Sequence, residues 1–157
     1  YGGDPVLRGL ERKVIFVWLL QVTFLVSLIT AGLLFAVLLD LLPVSVLALS
    51  VVFEGLGAVY MLLRFRNWSF ELRDDHLFLD HGVLKMTRSM VPYVRVQHID
   101  TQRGPVYRLL GLSKVVVYTA GSKGADVTIP GLSRSDASDV QEKLRDLAIE
   151  SEDMDAV

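Results

Sequence analysis

The sequence predicts an α+β membrane protein: a two-helix transmembrane hairpin followed by an antiparallel β-barrel or sandwich capped by one C-terminal helix. Three observations carry this. Val14–Leu39 holds no charged side chain, and Val44–Leu63 holds one, Glu54. From Trp68 onward, apolar residues fall into short β-rich runs separated by turn signals. After Ser133, Val140, Leu144 and Leu147 recur on one helical face with Ala137 and Ala148.

A bilayer's hydrocarbon core is about 30 Å thick, so a helix rising about 1.5 Å per residue crosses it in roughly 20 residues. Residues 14–39 and 44–63 both meet that length, and the first has enough to tilt. Asp40 to Pro43 remains as a very short connection, with Pro43 in the first turn of the second helix, where its missing N–H costs little. A cleavable signal peptide has an apolar region of only about 7–15 residues, so this longer run, leading into a second one, is expected to stay in place. Arg8, Arg12 and Lys13 flank one end of the hairpin and Arg64 and Arg66 the other, whereas the connection holds only Asp40. The positive-inside rule then makes residues 1–13 a cytoplasmic N-terminal segment and the C-terminus cytoplasmic, with a multi-pass protein in the cell membrane. Trp18, Tyr60, Phe65 and Trp68 fall near the inner interface, where amphipathic rings are favoured.

Small residues at four-residue spacing, Ser27/Ala31 and Gly32/Ala36, face candidates Ser50 and Ala58 on the second helix, with Gly57 beside them. Glu54 lies on that same face. A mid-membrane charge costs about 2.5–3.5 kcal/mol on insertion scales, so this carboxyl is expected to face protein or to be protonated. Helical rise places Glu54 roughly 13 Å from the cytoplasmic end, and Gln21 and Thr23 at about 10–13 Å in the antiparallel partner. Three roles stay open for Glu54: a hydrogen bond with Gln21 or Thr23, contact with a partner protein's helix, or a proton or ion path. Two helices with one acid are too few for a transporter by themselves.

The remainder reads as one domain over residues 64–150. Strands are predicted at Trp68–Arg73, His76–Asp80, Leu84–Met90, Val96–Gln102, Lys114–Thr119 and Asp126–Pro130. Turn signals separate them at Asp74-Asp75, His81-Gly82 and Ala120–Gly124, and Pro105–Leu110 reads as a helical turn before Gly111. Ser133 or Ser135 caps a final amphipathic helix of about 15 residues. Ser151–Val157 reads as a disordered acidic tail. A small sheet set closed by a C-terminal helix is the pleckstrin-homology (PH) order, in which the helix covers apolar residues that an open barrel would expose.

Net charge is −2, but it is unevenly spread: Arg64–Leu132 carries ten Lys or Arg against six acids, and Ser133–Val157 three against eight. A mildly basic body beside a membrane either favours anionic lipid head groups or is ordinary solubilising surface. Lys85, Arg88, Arg95 and Arg103 are the candidate contacts to lipid phosphate or to an acidic partner; Arg95 can equally clamp loop carbonyls or Asp100.

Phe70–Leu84 resembles the opening hairpins of the YdbS type of bacterial PH-like membrane proteins. Val91-Pro-Tyr-Val-Arg-Val-Gln-His-Ile-Asp is similar to their proline, arginine, aliphatic, glutamine signature, and Arg108–Gly121 to their Gly-Leu pair before a strand ending in a Thr-Ala-Gly turn. Ile129-Pro-Gly-Leu matches the approach to the final helix. The resemblance implies two transmembrane helices followed by one PH-like domain, no established enzymatic activity, and often a longer relative with several such domains encoded beside it. It supplies no ligand residues, and a PH fold by itself names no ligand.

Residue patterns for chemistry are missing. Gly111–Lys114 and Gly121–Gly124 lack the spacing of a phosphate-cradling loop, and there is no nucleophile elbow. With no cysteine, neither disulfides nor thiolate metal sites form. His98 and Asp100 share a strand face and His81 follows Asp80, without recognised metal-ligand spacing. No basic–aromatic interleaving marks a nucleic-acid platform. The expectation is a non-enzymatic scaffold without cofactor, metal or nucleic acid. It would bind lipid head groups, a related membrane protein or copies of itself. The alternative is a small transport, channel or envelope-stress accessory subunit that uses Glu54.

Overall fold

The computed structural model describes residues 8–121 and 126–155. Ser122–Ala125 of the turn expected at Ala120–Gly124, residues 1–7 of the N-terminal segment and Ala156–Val157 of the tail lie outside the described residues. The described residues form two compact units, residues 15–66 and residues 8–14 with 67–121 and 126–155.

The first unit is the helical hairpin. Helix α1 (Val14–Leu38) ends as Asp40 turns into the left-handed region at φ 57° and Leu41 N–H bonds the Ala36 carbonyl. A 3₁₀ turn (Val44–Leu47) opens on Pro43 and leads into α2 (Ala48–Asn67). Val14–Leu38 and Val44–Asn67 are both long and apolar enough to cross a membrane. Phe16, Phe24, Leu28, Phe35, Val51 and Leu56 are each more than half exposed, an apolar surface that water does not tolerate at this extent and hydrocarbon does. The second helix runs four residues past Leu63, because Arg64, Phe65, Arg66 and Asn67 contain no helix breaker.

The second unit is the strand-rich domain. Strands β1 (Ser69–Leu72), β2 (His76–His81) and β3 (Thr87–Pro92) form one antiparallel sheet in that order. A 3₁₀ turn at Tyr93–Arg95 leads to β4 (Val96–Gln102), α3 (Pro105–Leu110), β5 (Leu112–Thr119) and β6 (Val127–Ser133). Strands β4, β5 and β6 make a second antiparallel sheet. The ladders are therefore two separate three-stranded sheets rather than one closed barrel. Central β5 is buried on both faces, with Val115, Val116 and Val117 all in the core, which is why its sequence reads as an unbroken apolar run.

Helix α4 (Arg134–Asp155) covers the core with Ala137, Val140 and Leu144, each fully buried and spaced at i, i+3, i+7. Ser133, not Ser135, is its cap: Ser133 Oγ accepts the Asp136 N–H at 3.1 Å. The helix is 22 residues long and carries the expected tail with it as far as Asp155, since Glu and Met propagate a helix and no Gly or Pro stops it.

Two differences from the sequence reading bear on function. The first is at the N-terminus. Arg8 and Phe70 of β1 exchange backbone hydrogen bonds of 2.8 and 2.9 Å, and Glu11 N–H bonds the Gly131 carbonyl of β6 at 2.7 Å. β1 and β6 are outer strands of the two different sheets, so residues 8–14 strap one sheet to the other and belong to the domain, which does not start at Arg64. The strap ends with Val14 fully buried. The second difference is that β3 starts at Thr87, paired with His81, and leaves residues 82–86 as the β2–β3 loop. Gly82, at φ 130°, forces this: a Cβ there would stand 2.1 Å from the Lys85 carbonyl oxygen, so the apolar alternation of Val83, Leu84 and Met86 is spent in a turn.

Candidate functional site

In the hairpin, the polar side chains meet in antiparallel register. Thr23 Oγ1 donates to Glu54 Oε1 at 2.6 Å, and Thr30 Oγ1 and Ser50 Oγ stand 2.8 Å apart. Val22 seats against Gly57, and the Arg64 guanidinium lies 4.2 Å over the Trp18 ring. Partner numbers fall as α1 numbers rise, so the contacts form a continuous seam. Gln21, at similar depth, is exposed on α1, and the Thr23 hydroxyl is the group that reaches the carboxylate. The Gly32/Ala36 stripe is not the seam: Gly32 faces open space, because the helix face defined by Thr23 and Thr30 is rotated away from it. Trp18 and Trp68 are 4% and 5% exposed, so neither ring is free to float at a bilayer interface. Trp18 sits beneath Arg64, and Trp68 stacks on His81 with centroids 4.9 Å apart.

This seam supports a test. Thr23→Val, Glu54→Leu and the double variant, unfolded from micelles, are expected to show a coupling of about 0.6–1.7 kcal/mol, the usual range for a hydrogen bond between membrane helices. A coupling indistinguishable from zero would remove the Thr23–Glu54 bond from the hairpin's energetics.

In the domain, the four expected basic contacts are dispersed. Lys85 lies in the β2–β3 loop, and Arg88 on β3 reaches Asp80 at 3.4 Å. Arg95 is beyond the far end of β3, whose six residues span about 20 Å. Arg95 is exposed and contributes its backbone carbonyl to the Ala120 N–H; Asp100 pairs instead with His98, at 2.7 Å. The carbonyl clamp is Arg103, whose Nε donates to the Leu112 carbonyl at 3.1 Å. Desolvation, then the like charges of Arg134 and Arg108, pulls the Arg103 guanidinium below its usual range. Arg108 on α3 and Arg134 at the head of α4 are thus the like charges that act on Arg103. Lys85 and Arg88 are not among those charges.

Two further polar features are built into the domain. Glu71, 5% exposed, pairs with Arg73 at 3.2 Å, and the guanidinium of Arg73 lies 4.2 Å over Phe78. Buried Tyr93 donates its hydroxyl to the Arg73 carbonyl at 2.5 Å, and burial followed by the nearby Asp75 charge raises its phenol well above the ordinary range. His76 bonds Asp75 at 2.5 Å and holds that carboxyl below the ordinary carboxylate range. Between β4 and α4 runs an open groove of about 910 Å³, lined by Val96, His98, Ile99, Gln141, Arg145 and Ile149 among others. Gln141 closes part of it, donating to the Ile99 carbonyl at 3.1 Å and accepting the Thr101 hydroxyl at 2.9 Å. Among the described residues no group of three or more His, Asp or Glu converges on a point where an ion could sit.

The bacterial PH domain family model matches residues 14–148. The chain is 30% identical over 109 residues to the UPF0699 transmembrane protein YdbS of Bacillus subtilis (strain 168), covering 62% of this chain and 67% of that one. It is 26% identical over 97 residues to the UPF0699 transmembrane protein YdbT of the same organism, covering 61% of this chain and 20% of that one. A solved structure, a DUF1696 family protein with a pleckstrin-homology domain from Shewanella loihica PV-4, overlays 54% of this chain and 74% of its own, at 18% identity and a TM-score of 0.42. A match that runs unbroken from the first apolar helix into the closing helix takes in hairpin, sheets and α4 together, and the chain belongs to the bacterial PH domain family, among its YdbS-like transmembrane members.

Proposed function

We propose that this membrane protein is a non-enzymatic interaction module. The hairpin crosses the bilayer twice and holds the PH-like domain at the cytoplasmic face, where it meets lipid head groups, a related membrane protein or a second copy of itself. The N-terminal strap is the observation that carries the reading. Because Arg8 and Glu11 are hydrogen-bonded into β1 and β6, the chain leaves the domain at Val14 and re-enters it at Asn67. A chain that departs from and returns to one folded domain crosses a membrane an even number of times. The basic flanks Arg12, Lys13, Arg64 and Arg66 then favour the cytoplasmic side for that domain. The basic side chains Lys85, Arg88, Arg95 and Arg103 supply positive charge on several faces of it. The engagement of Glu54 by Thr23 favours a role inside the hairpin over a transport subunit built on that carboxyl.

The chain has no cysteine, so single introduced thiols report its sidedness. In intact cells, Asp40→Cys is expected to react with a membrane-impermeant maleimide, and Asp74→Cys only after the membrane is opened. The reverse pattern would place the domain outside. Reaction of both thiols in intact cells would show that the chain does not cross twice.

A further inference from the structure

The β2–β3 loop is tied to the residue at which the membrane helix ends. The Asn67 side-chain amide, the last residue of α2, donates to the Gly82 carbonyl at 2.9 Å. The next residue, Trp68, stacks on His81, the last residue of β2, with only 11° between the rings. Gly82 then turns with φ 130°, its bare Cα against the Lys85 carbonyl, so the loop is a tight built turn. What this turn presents is apolar: Leu84 is 94% exposed and Met86 52%, with the exposed Lys85 between them.

We infer that the loop at residues 82–86 is a bilayer-interface contact, with Leu84 and Met86 entering the head-group and upper acyl layer of the membrane that the hairpin crosses. The reach follows from chain geometry. Asn67 is four helical residues beyond Leu63, the last of the apolar run, and so about 6 Å past it. The interfacial zone outside the hydrocarbon core is about 5–8 Å deep on each side, so Asn67 stands within it. Leu84 is two residues from Gly82 and cannot be further than about 7 Å from it along the chain. A single exposed leucine needs no explanation. Two long apolar side chains on a rigid turn, pinned to the foot of a span, gain a solvent for their apolar atoms if that solvent is lipid. Lys85 between them keeps its ammonium at phosphate level while its stem lies along the apolar layer. The bilayer is favoured over a protein partner because the loop is hydrogen-bonded to the last residue of a membrane-length helix. By sequence alone Leu84 and Met86 fall in a predicted strand, and Lys85 is a candidate contact to lipid phosphate or to an acidic partner.

This rests on the reading that residues 14–63 span a bilayer, and not on which side the domain lies. Nitroxides at Leu84→Cys, Met86→Cys, Leu28→Cys and Asp74→Cys, one at a time in the full chain, separate the two claims. Leu28 is mid-span, and Asp74 sits at the opposite end of β2 from the loop, about 20 Å away. In nanodiscs of phosphatidylcholine and phosphatidylglycerol, the ratio of oxygen to nickel-chelate accessibility at residues 84 and 86 is expected to exceed that at 74 several-fold and to approach that at 28. Met86→Cys keeps Leu84 in place, so the result does not depend on the label replacing the key side chain. Ratios at 84 and 86 equal to that at 74, with 28 dry, would overturn the loop contact and leave the span standing. A wet position 28 would overturn the span, and the loop contact with it. Dryness at 84 in native membranes but not in nanodiscs would mean that a protein covers the loop, and would overturn the bilayer as its occupant.

Discussion

Gly131→Ala is expected to lower the melting midpoint of the domain by at least about 8 °C. Gly131 has φ 62°, and a Cβ built on it would lie 2.6 Å from Val14 Cβ and 2.7 Å from its Cγ2. The left-handed conformation costs a residue with a Cβ about 1–2 kcal/mol. Forcing an extra carbon against a fully buried side chain adds about 1–3 kcal/mol more. Each kcal/mol moves the midpoint of a 60–100-residue domain by about 4–8 °C. The clash would fall where the strap locks onto β6, beside the Glu11–Gly131 hydrogen bond. Gly9→Ala, in the same strap but with nothing within 4 Å, serves as the control and is expected to change little. Tryptophan fluorescence of the full chain in detergent reports the transition. A Gly131→Ala midpoint within about 2 °C of the parent would show that the strap is not part of the domain's folding unit.

Leu144→Ala is the second large effect, expected to destabilise the domain by about 2–5 kcal/mol through lost burial and the cavity left behind. Leu144 is fully buried at the C-terminal end of the stripe formed with Ala137 and Val140, through which α4 holds the second sheet. Weakening that stripe also strains the Gln141 bridge to Ile99 and Thr101. Hydrogen exchange along residues 134–155 should accelerate, together with tryptic cleavage at Arg145. Lys143→Ala, an exposed neighbour, is expected to stay within about 0.5 kcal/mol of the parent. If Leu144→Ala matched Lys143→Ala, α4 would be an appendage and not the element that closes the core.

The two stability effects concern the same property, the integrity of a domain whose first residues come from the other side of the hairpin. Phe70, Leu77 and Leu79 from the first sheet and Leu112, Val115, Val117 and Ile129 from the second are all at most 1% exposed. The strap adds buried Leu10 and Val14 to this core and contributes backbone hydrogen bonds to an outer strand of each ladder. A domain stitched in this way cannot separate its sheets without releasing the strap from one of them, at Phe70 or at Gly131.

Periodicity and composition made much of this protein legible. Two apolar runs of membrane length, the first without a charge and the second with Glu54 alone, admit few other interpretations, because charges are costly in hydrocarbon and their near-absence over so many residues is rarely accidental. The short β-rich runs and the i, i+3, i+7 stripe in residues 137–144 located six strands and α4 because burial selects apolar residues with the period of each element. Depth counting placed Thr23 and Glu54 at one level, since helical rise is nearly constant. Helix rotation is not set by rise, so only the folded hairpin chose Thr23 over Gln21 and turned Gly32 outward. Leu84 and Met86 alternate like strand residues, yet Gly82's positive φ and Asn67's amide make them a loop, an outcome dependent on a contact fifteen positions away. Arg108 of α3 and Arg134 of α4 act on the charge of Arg103 in the β4–α3 link, and Arg8 pairs with Phe70 although the whole hairpin separates them in sequence. The sequence by itself determined the two apolar helices of membrane length, the order of strands and closing helix, and the family. Tertiary structure alone decided which polar groups meet and where the domain begins, because long-range pairing depends on three-dimensional proximity that a local period does not encode.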